Sequence, residues 1–323
     1  MELFSAFSFI LGGLCVLAYA ANMLVDWSVN VARKFWISEM VIGLTIVAIG
    51  TSAPELIVSL LSTWDGHYDI ALGNVIGSNI ANILLILGLT AIIIPMTLAR
   101  STLLIDLPLA ILTTLLLILL SSDMFFDGAT SNVISRIDGI LLLLFAIVFF
   151  IYNIRGKVIE TPDIDEPMHI VSTRRAIFYI AWGIFWLFFG GKILVEWAVA
   201  IAKIYGLSEG IIALTIVAVG TSVPELATSL IAALKKRTSI TIGNIIGSNI
   251  LNILIIIGFS SIIHPLILES SMQIDLLVAL FAPILLLSLS QLWIQHRIGR
   301  TEWMILVFTY VWYIAYLVLR EIK

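Results

Sequence analysis

Charge is scarce in this chain. Only 12% of its 323 residues are Asp, Glu, Lys or Arg, about half the share found in soluble domains. That is too few ions to coat a water-facing surface, which excludes a soluble enzyme and a disordered protein. Basic charge is not in excess either. The net charge is -4, which argues against nucleic acid as a partner. Cysteine occurs once, at Cys15, so neither a disulfide framework nor a thiolate metal cluster can form. Histidine occurs four times, at positions 67, 169, 264 and 296, always in a loop or at the end of an apolar run. A proton relay of deep histidines is therefore not expected. What the chain has in quantity is apolar: 61% hydrophobic residues and a mean hydropathy of +1.13. The composition points to a polytopic membrane protein in contact with the lipid bilayer.

A helix needs about 20 mostly apolar residues to cross a hydrocarbon core. Ten runs qualify: 4–25, 38–62, 69–94, 103–121, 138–154, 176–200, 209–234, 240–263, 273–291 and 302–319. They are continuous and too long for the alternating strands of a barrel, so an all-α protein of ten transmembrane helices is expected. The first run contains Ala18-Tyr19-Ala20, a small-x-small pattern like a cleavage site. Met1-Glu2-Leu3 carries no basic segment ahead of it, so the run reads as a retained span. The one plausible linker is 155–175, with Arg155, Lys157, Glu160, Asp163 and Arg174. Twelve of the 17 Lys and Arg fall in loops after odd-numbered spans. By the positive-inside rule those loops are cytoplasmic and both termini lie outside. An inner, plasma-membrane location is expected.

The chain repeats itself. Residues 44–55 match 214–225 at 10 of 12 positions, and 73–83 match 243–253 at 9 of 11. The offset is 170 in both windows and also pairs Trp27 with Trp197 and Pro95 with Pro265. Each half holds five spans, an odd number, so the second half must enter the membrane upside down. The expected organisation is a first repeat at 1–154, a cytoplasmic linker at 155–175 and an inverted second repeat at 176–323. Inverted repeats about a midplane site are a transporter architecture. The loops agree, since Lys235-Lys236-Arg237 has its counterpart near Asp65-Gly66-His67, which carries no Lys or Arg.

The polar residues inside the spans carry the chemistry. In the second span, Pro54 lacks an N–H and its ring clashes with the carbonyl of Gly50. The helix is expected to break there and expose carbonyl oxygens, which is tolerated at depth only against protein or a wet cavity. Thr51, Glu55 and Ser59 share one face at a spacing of four. In the third span Asn74, Ser78 and Asn82 share a face, while Gly73 and Gly77 permit close helix approach. The set recurs as Thr221, Ser222, Glu225, Ser229, Asn244, Ser248 and Asn252. These are hard oxygen ligands suited to Ca2+ or Na+. Two half-sites facing each other make a cage with two carboxylates, whose charge offsets one Ca2+. Without a cation the pair would repel and one would protonate. Lys192 and Glu196, four apart, read as a structural pair. Asp106 and Asp275 sit near span ends and read as interfacial.

Gly-Thr-Ser-x-Pro-Glu followed by Gly-Asn-x-x-Gly-Ser-Asn-Ile, present twice, resembles the alpha repeats of the cation/Ca2+ exchanger superfamily, and most nearly its prokaryotic Na+/Ca2+ exchangers. The resemblance covers nearly the whole chain. It implies that the second, third, seventh and eighth helices form the ion site. It also implies that the first helix of each half slides across the rest. It assigns Ca2+ and Na+ to Glu55 and Glu225, to the hydroxyls of Thr51, Ser52, Thr221 and Ser222, and to those of Ser78 and Ser248. The carbonyls of Ala48 and Ala218 and the amides of Asn82 and Asn252 complete the set. In some relatives an aspartate stands at the position of Asn82 or Asn252. The K+-dependent branch favours it at Asn252, so K+-independent exchange is expected here.

The implied activity is secondary active, electrogenic antiport of Ca2+ for Na+ by alternating access, with the ions as substrates and no cofactor. No obligatory protein partner is indicated. Ca2+/H+ antiport on the same glutamates is the nearest rival. A passive cation channel is a further one. An intramembrane hydrolase using Ser78 or Ser248 is disfavoured by the lack of a deep histidine base or a zinc motif.

Overall fold

The structure is a computed structural model. It describes residues 2–126, 128, 130–156, 172–204, 218–269, 272–291, 297–298 and 300–322. Most of the expected linker (157–171), the start of the seventh expected span (209–217), His169 and His296 lie outside the described residues.

Helices occur along all ten apolar runs. They are α1 (Glu2–Phe35), α2 (Glu39–Thr51), α3 (Ala53–Trp64), α4 (Tyr68–Ala91), α5 (Thr102–Leu120), α6 (Arg136–Gly156), α7 (Thr173–Ile204), α8 (Ala218–Gly220), α9 (Val223–Leu234), α10 (Thr238–Ile263), α11 (Gln273–Gln291) and α12 (Arg300–Ile322). Seven are long and apolar enough to cross a membrane, and an eighth crossing results if α2 and α3, bent by 46° at their junction, count as one. The seventh and tenth expected spans coincide with shorter apolar helices, Val223–Leu234 and Met304–Arg320.

The fold is mostly helical, as expected, with two additions. Short antiparallel ladders pair β1 (Met96–Thr97) with β4 (Arg297–Ile298) and β2 (Asn132–Ile134) with β3 (Leu266–Leu268). Each follows a helix end and joins the two halves, where otherwise unpaired main-chain groups need partners. The first span is also longer than expected, reaching Phe35 rather than residue 25. The added turns are held because Val29, Val31 and Ala32 bury against Ala232 and Ile240.

Two apolar clusters organise the molecule. The larger centres on α4 and α10, with α5, α6, α11 and α12 around them. The smaller lies between α1 and α7, from Leu17, Ala20 and Leu24 to Ala176, Ile180 and Leu187. These two long helices run antiparallel. Phe9 stacks on Trp197 and Trp27 on Tyr179, each at 4.5 Å between ring centroids. Gly13 lies against the Gly190 carbonyl and Gly183 against the Ala20 carbonyl, with a built Cβ only 3.2 Å away in both cases. Small residues at these positions let the backbones approach, which replaces the hydrophobic drive that lipid removes.

Candidate ion-binding site

The break expected from Pro54 lies two residues before it, at Ser52. Ser52 leaves helical geometry at φ -82, ψ 8, and α3 restarts with Pro54 in its first turn. Ser222 does the same at φ -87, ψ 7 ahead of Pro224. A proline is tolerated there because the first turn of a helix has no use for its N–H. Glu55 and Glu225 therefore sit in the first turns of α3 and α9, where unpaired N–H groups favour negative charge.

The two half-sites meet through a reciprocal set of hydrogen bonds. Ser52 Oγ donates to Glu225 Oε1 at 2.9 Å, and Ser222 Oγ donates to Glu55 Oε1 at 3.4 Å. Ser78 Oγ and Ser248 Oγ reach the glutamate of their own half at 3.3 and 3.5 Å. Thr51 Oγ1 donates to Asn244 Oδ1 at 3.0 Å, and Thr221 Oγ1 to Asn74 Oδ1 at 3.1 Å. Asn74 and Asn244 in turn donate to Ser59 Oγ and Ser229 Oγ at 2.9 and 3.1 Å. The hydroxyls at each helix break, Thr51 and Ser52 in one half and Thr221 and Ser222 in the other, thus contact a carboxylate or amide of the opposite half.

Both carboxylates are fully buried. Among the described residues, nine buried side-chain oxygens have no hydrogen-bond partner. Four of them belong here: Glu55 Oε2, Glu225 Oε2, Asn82 Oδ1 and Asn252 Oδ1. A buried acceptor left without a partner costs about 1–3 kcal/mol, and more when it is charged. Four acceptor oxygens and two negative charges together match what a hard cation supplies, since Ca2+ takes six to eight oxygen ligands. Asn82 and Asn252 each open a π-helical stretch, Asn82–Leu87 and Asn252–Ile257. Such a wider turn shifts the register of the helix and is frequent at functional sites.

The carbonyls of Ala48 and Ala218 differ. Ala48 O accepts the Ser52 N–H at 3.0 Å. In the second half the Ser222 N–H turns to Val219 O at 3.1 Å, away from Ala218. The positions that would approach Gly73 and Gly77 under the 170-residue offset, 210 and 214, lie outside the described residues. The close approach is seen at their counterparts. A Cβ on Gly243 would meet Met40 O at 2.7 Å, and one on Gly247 would meet Leu44 O at 2.6 Å. Asp106 and Asp275, near span ends, are buried within the protein. Asp275 accepts from Tyr313 Oη at 3.1 Å and from Arg320 Nη1 at 3.0 Å. Lys192 and Glu196 form the expected exposed pair at 3.7 Å. Sequence reasoning gave no role to Asn79 and Asn249, although both halves carry them in the same Gly-Ser-Asn-Ile motif.

The family model described as "Sodium/calcium exchanger protein" matches residues 5–155 and 175–320. The chain belongs to that family. It is 38% identical over 316 residues to the putative antiporter CaxA of Alkalimonas amylolytica, covering 94% of this chain and 96% of that protein. It is 32% identical to the sodium/calcium exchanger MaX1 of Methanosarcina acetivorans, covering 97% of each. A solved structure of the sodium-calcium exchanger NCX_Mj soaked with Na+ and Ca2+ superposes with a TM-score of 0.80 at 29% identity, over 96% of this chain and 97% of the other. Family membership and the apolar helices make the chain an integral, multi-pass membrane protein of a transporter family.

Proposed function

We propose that the chain exchanges Ca2+ for Na+ across the membrane by alternating access, with the ions held between Glu55 and Glu225. The observation that carries this reading is the set of four unpartnered acceptor oxygens on Glu55, Glu225, Asn82 and Asn252, buried where the two broken helices face each other. Ala48, Thr51, Ser52, Ser78 and their counterparts Ala218, Thr221, Ser222 and Ser248 supply the neutral oxygens.

The architecture is ten helices in two inverted repeats, 1–154 and 176–323. The antiparallel α1 and α7 support this, as do the stacks Phe9–Trp197 and Trp27–Tyr179, whose partners exchange under the 170-residue offset. Residues 155–175 link the repeats on the cytoplasmic side, and both termini lie outside. The α1–α7 pair is the moving part. Its apolar cluster, which also takes in Ile42, Val47, Ala232 and Ile240, is distinct from the larger one centred on α4 and α10.

Exchange needs no covalent step. One Ca2+ balances two carboxylates, and several Na+ do the same on overlapping oxygens. A site filled by either set loses the cost of buried, unbalanced charge and can be carried through the swing, while an empty one resists it. More than two Na+ per Ca2+ makes the cycle electrogenic. Asparagine at both 82 and 252 leaves no third acid for K+ or a proton, which favours Na+ coupling without K+.

Proteoliposomes test the coupling ion. An imposed Na+ gradient is expected to drive Ca2+ uptake uphill with no K+ present. A pH gradient driving it instead would establish the Ca2+/H+ rival, and downhill flux alone would establish a channel.

A further inference from the structure

We infer that Asn79 and Asn249 are positioning residues that fix which end of the Asn252 and Asn82 amides faces the ion. The inference rests on the proposed exchange function and deepens it.

An amide presents an acceptor at one end and donors at the other, and the two ends have nearly the same shape. Which end points where is decided by partners whose chemistry is unambiguous. Here those partners are main-chain carbonyls, which can only accept. Asn79 Nδ2 donates to Asn249 O at 3.1 Å, and Asn249 Nδ2 donates to Asn79 O at 3.0 Å. With its NH2 end committed to a carbonyl, each residue turns its Oδ1 the other way. Asn79 Oδ1 then accepts from Asn252 Nδ2 at 3.0 Å, and Asn249 Oδ1 accepts from Asn82 Nδ2 at 3.0 Å. The second N–H of Asn252 points to Ser78 Oγ at 3.3 Å, and Ser78 in turn donates to Glu55 Oε1 at 3.3 Å. Asn82 and Asn252 are thereby held by their nitrogens. Their Oδ1 atoms are the ones left buried and without a donor.

The constraint runs crosswise. The main chain at Asn249 orients Asn79, which orients Asn252. The main chain at Asn79 orients Asn249, which orients Asn82. A flip of any one amide would set oxygen against oxygen at the next link, in a place water does not reach: Asn79 and Asn249 are 4% and 5% exposed, Asn82 and Asn252 fully buried. The clasp therefore leaves two neutral oxygens buried and free to accept before an ion arrives, so binding does not have to turn an amide.

The test is a double-mutant cycle on the reconstituted full chain, reading the apparent KM for Ca2+ and Vmax separately. Asn79→Ala frees the Asn252 amide. It is expected to raise the Ca2+ KM by about 10- to 100-fold, the loss usual when a partner of a metal ligand is removed, with Vmax at saturating Ca2+ retained. Because Asn79 acts through Asn252, the double variant Asn79→Ala/Asn252→Ala is expected to have the KM of Asn252→Ala alone. Additive effects on KM, or a fall in Vmax with KM unchanged, overturn the inference. If Asn79→Ala yields no folded protein, Asn249→Ala with Asn82→Ala forms the mirror cycle and is decided in the same way. Failure of both single variants to fold makes the pair structural and overturns the inference as well. A wild-type protein without Na+-driven Ca2+ exchange defeats the functional proposal. Wild-type exchange with an additive cycle defeats only the positioning role.

Discussion

Each residue of the site answers a different need. In the proposed exchange the carboxylates supply charge, the amides and hydroxyls fill the coordination shell, and the hydroxyls also bind the glutamate Oε1 atoms. Ser52 Oγ, 2.9 Å from Glu225 Oε1, does the last of these. A hydrogen bond to a charged group contributes about 1.5–3 kcal/mol. Ser52→Ala is therefore expected to weaken apparent Ca2+ affinity by about tenfold or more without unfolding the protein, measured as Ca2+-dependent flux alongside a melting curve in detergent. Neutralising a glutamate is worse. Removing one partner from a buried ionic cluster costs about 3–5 kcal/mol, so Glu55→Gln and Glu225→Gln are each expected to abolish exchange. Retained exchange in both variants would remove the carboxylates from the mechanism.

At the scale of elements, the broken helices were legible in the sequence and the wide turns were not. Pro54 and Pro224 declare a break because the missing N–H and the ring leave no alternative, and the i, i+4 spacing of Asn74, Ser78 and Asn82 already places them on one face. The π-helical stretches at Asn82 and Asn252 depend on a hydrogen-bond register that leaves no periodic mark in the chain. The two ladders are only two or three residues long, below what alternation can signal. Asn79 and Asn249 were visible as identical residues of a repeated motif, but their role depends on a juxtaposition across halves that no local pattern carries. The glycines are a similar case. Gly243 and Gly247 close against α2. Gly247→Ala forces a Cβ to 2.6 Å from Leu44 O and is expected to cost about 1–3 kcal/mol, seen as a lower melting temperature and reduced flux. A Gly247→Ala protein as stable as the wild type would show that the close approach plays no part.

For the molecule as a whole, the scarcity of charge takes on a sharper meaning. Two ion pairs tie the halves together, Arg237 to Glu39 at 2.9 Å and Lys235 to Asp26, and a third joins Arg320 to Asp275 within the second half at 3.0 Å. The proposed orientation in the membrane rests on the Lys and Arg of the loops. In a Cys15→Ser background, Asp65→Cys is expected to react with an impermeant maleimide added outside intact cells, and Lys236→Cys only after the membrane is opened. The reverse pattern would invert the assignment of inside and outside. Net charge movement is a property of the whole cycle as well. A membrane potential acts with about 2.3 kcal/mol per charge per 100 mV, so an inside-negative potential is expected to speed Na+ entry coupled to Ca2+ exit. An exchange rate indifferent to potential would mean that two Na+ replace each Ca2+.

The central claim is that one buried site, made by both halves, holds Ca2+ and Na+ in turn. Equilibrium Ca2+ binding to the purified protein, titrated calorimetrically with and without Na+, tests it most directly. The expected result is saturable Ca2+ binding that rising Na+ displaces and that is lost in Glu55→Gln and in Glu225→Gln, with melting curves showing both variants folded. Ca2+ binding that survives either substitution unchanged, or that Na+ does not displace, would contradict the account.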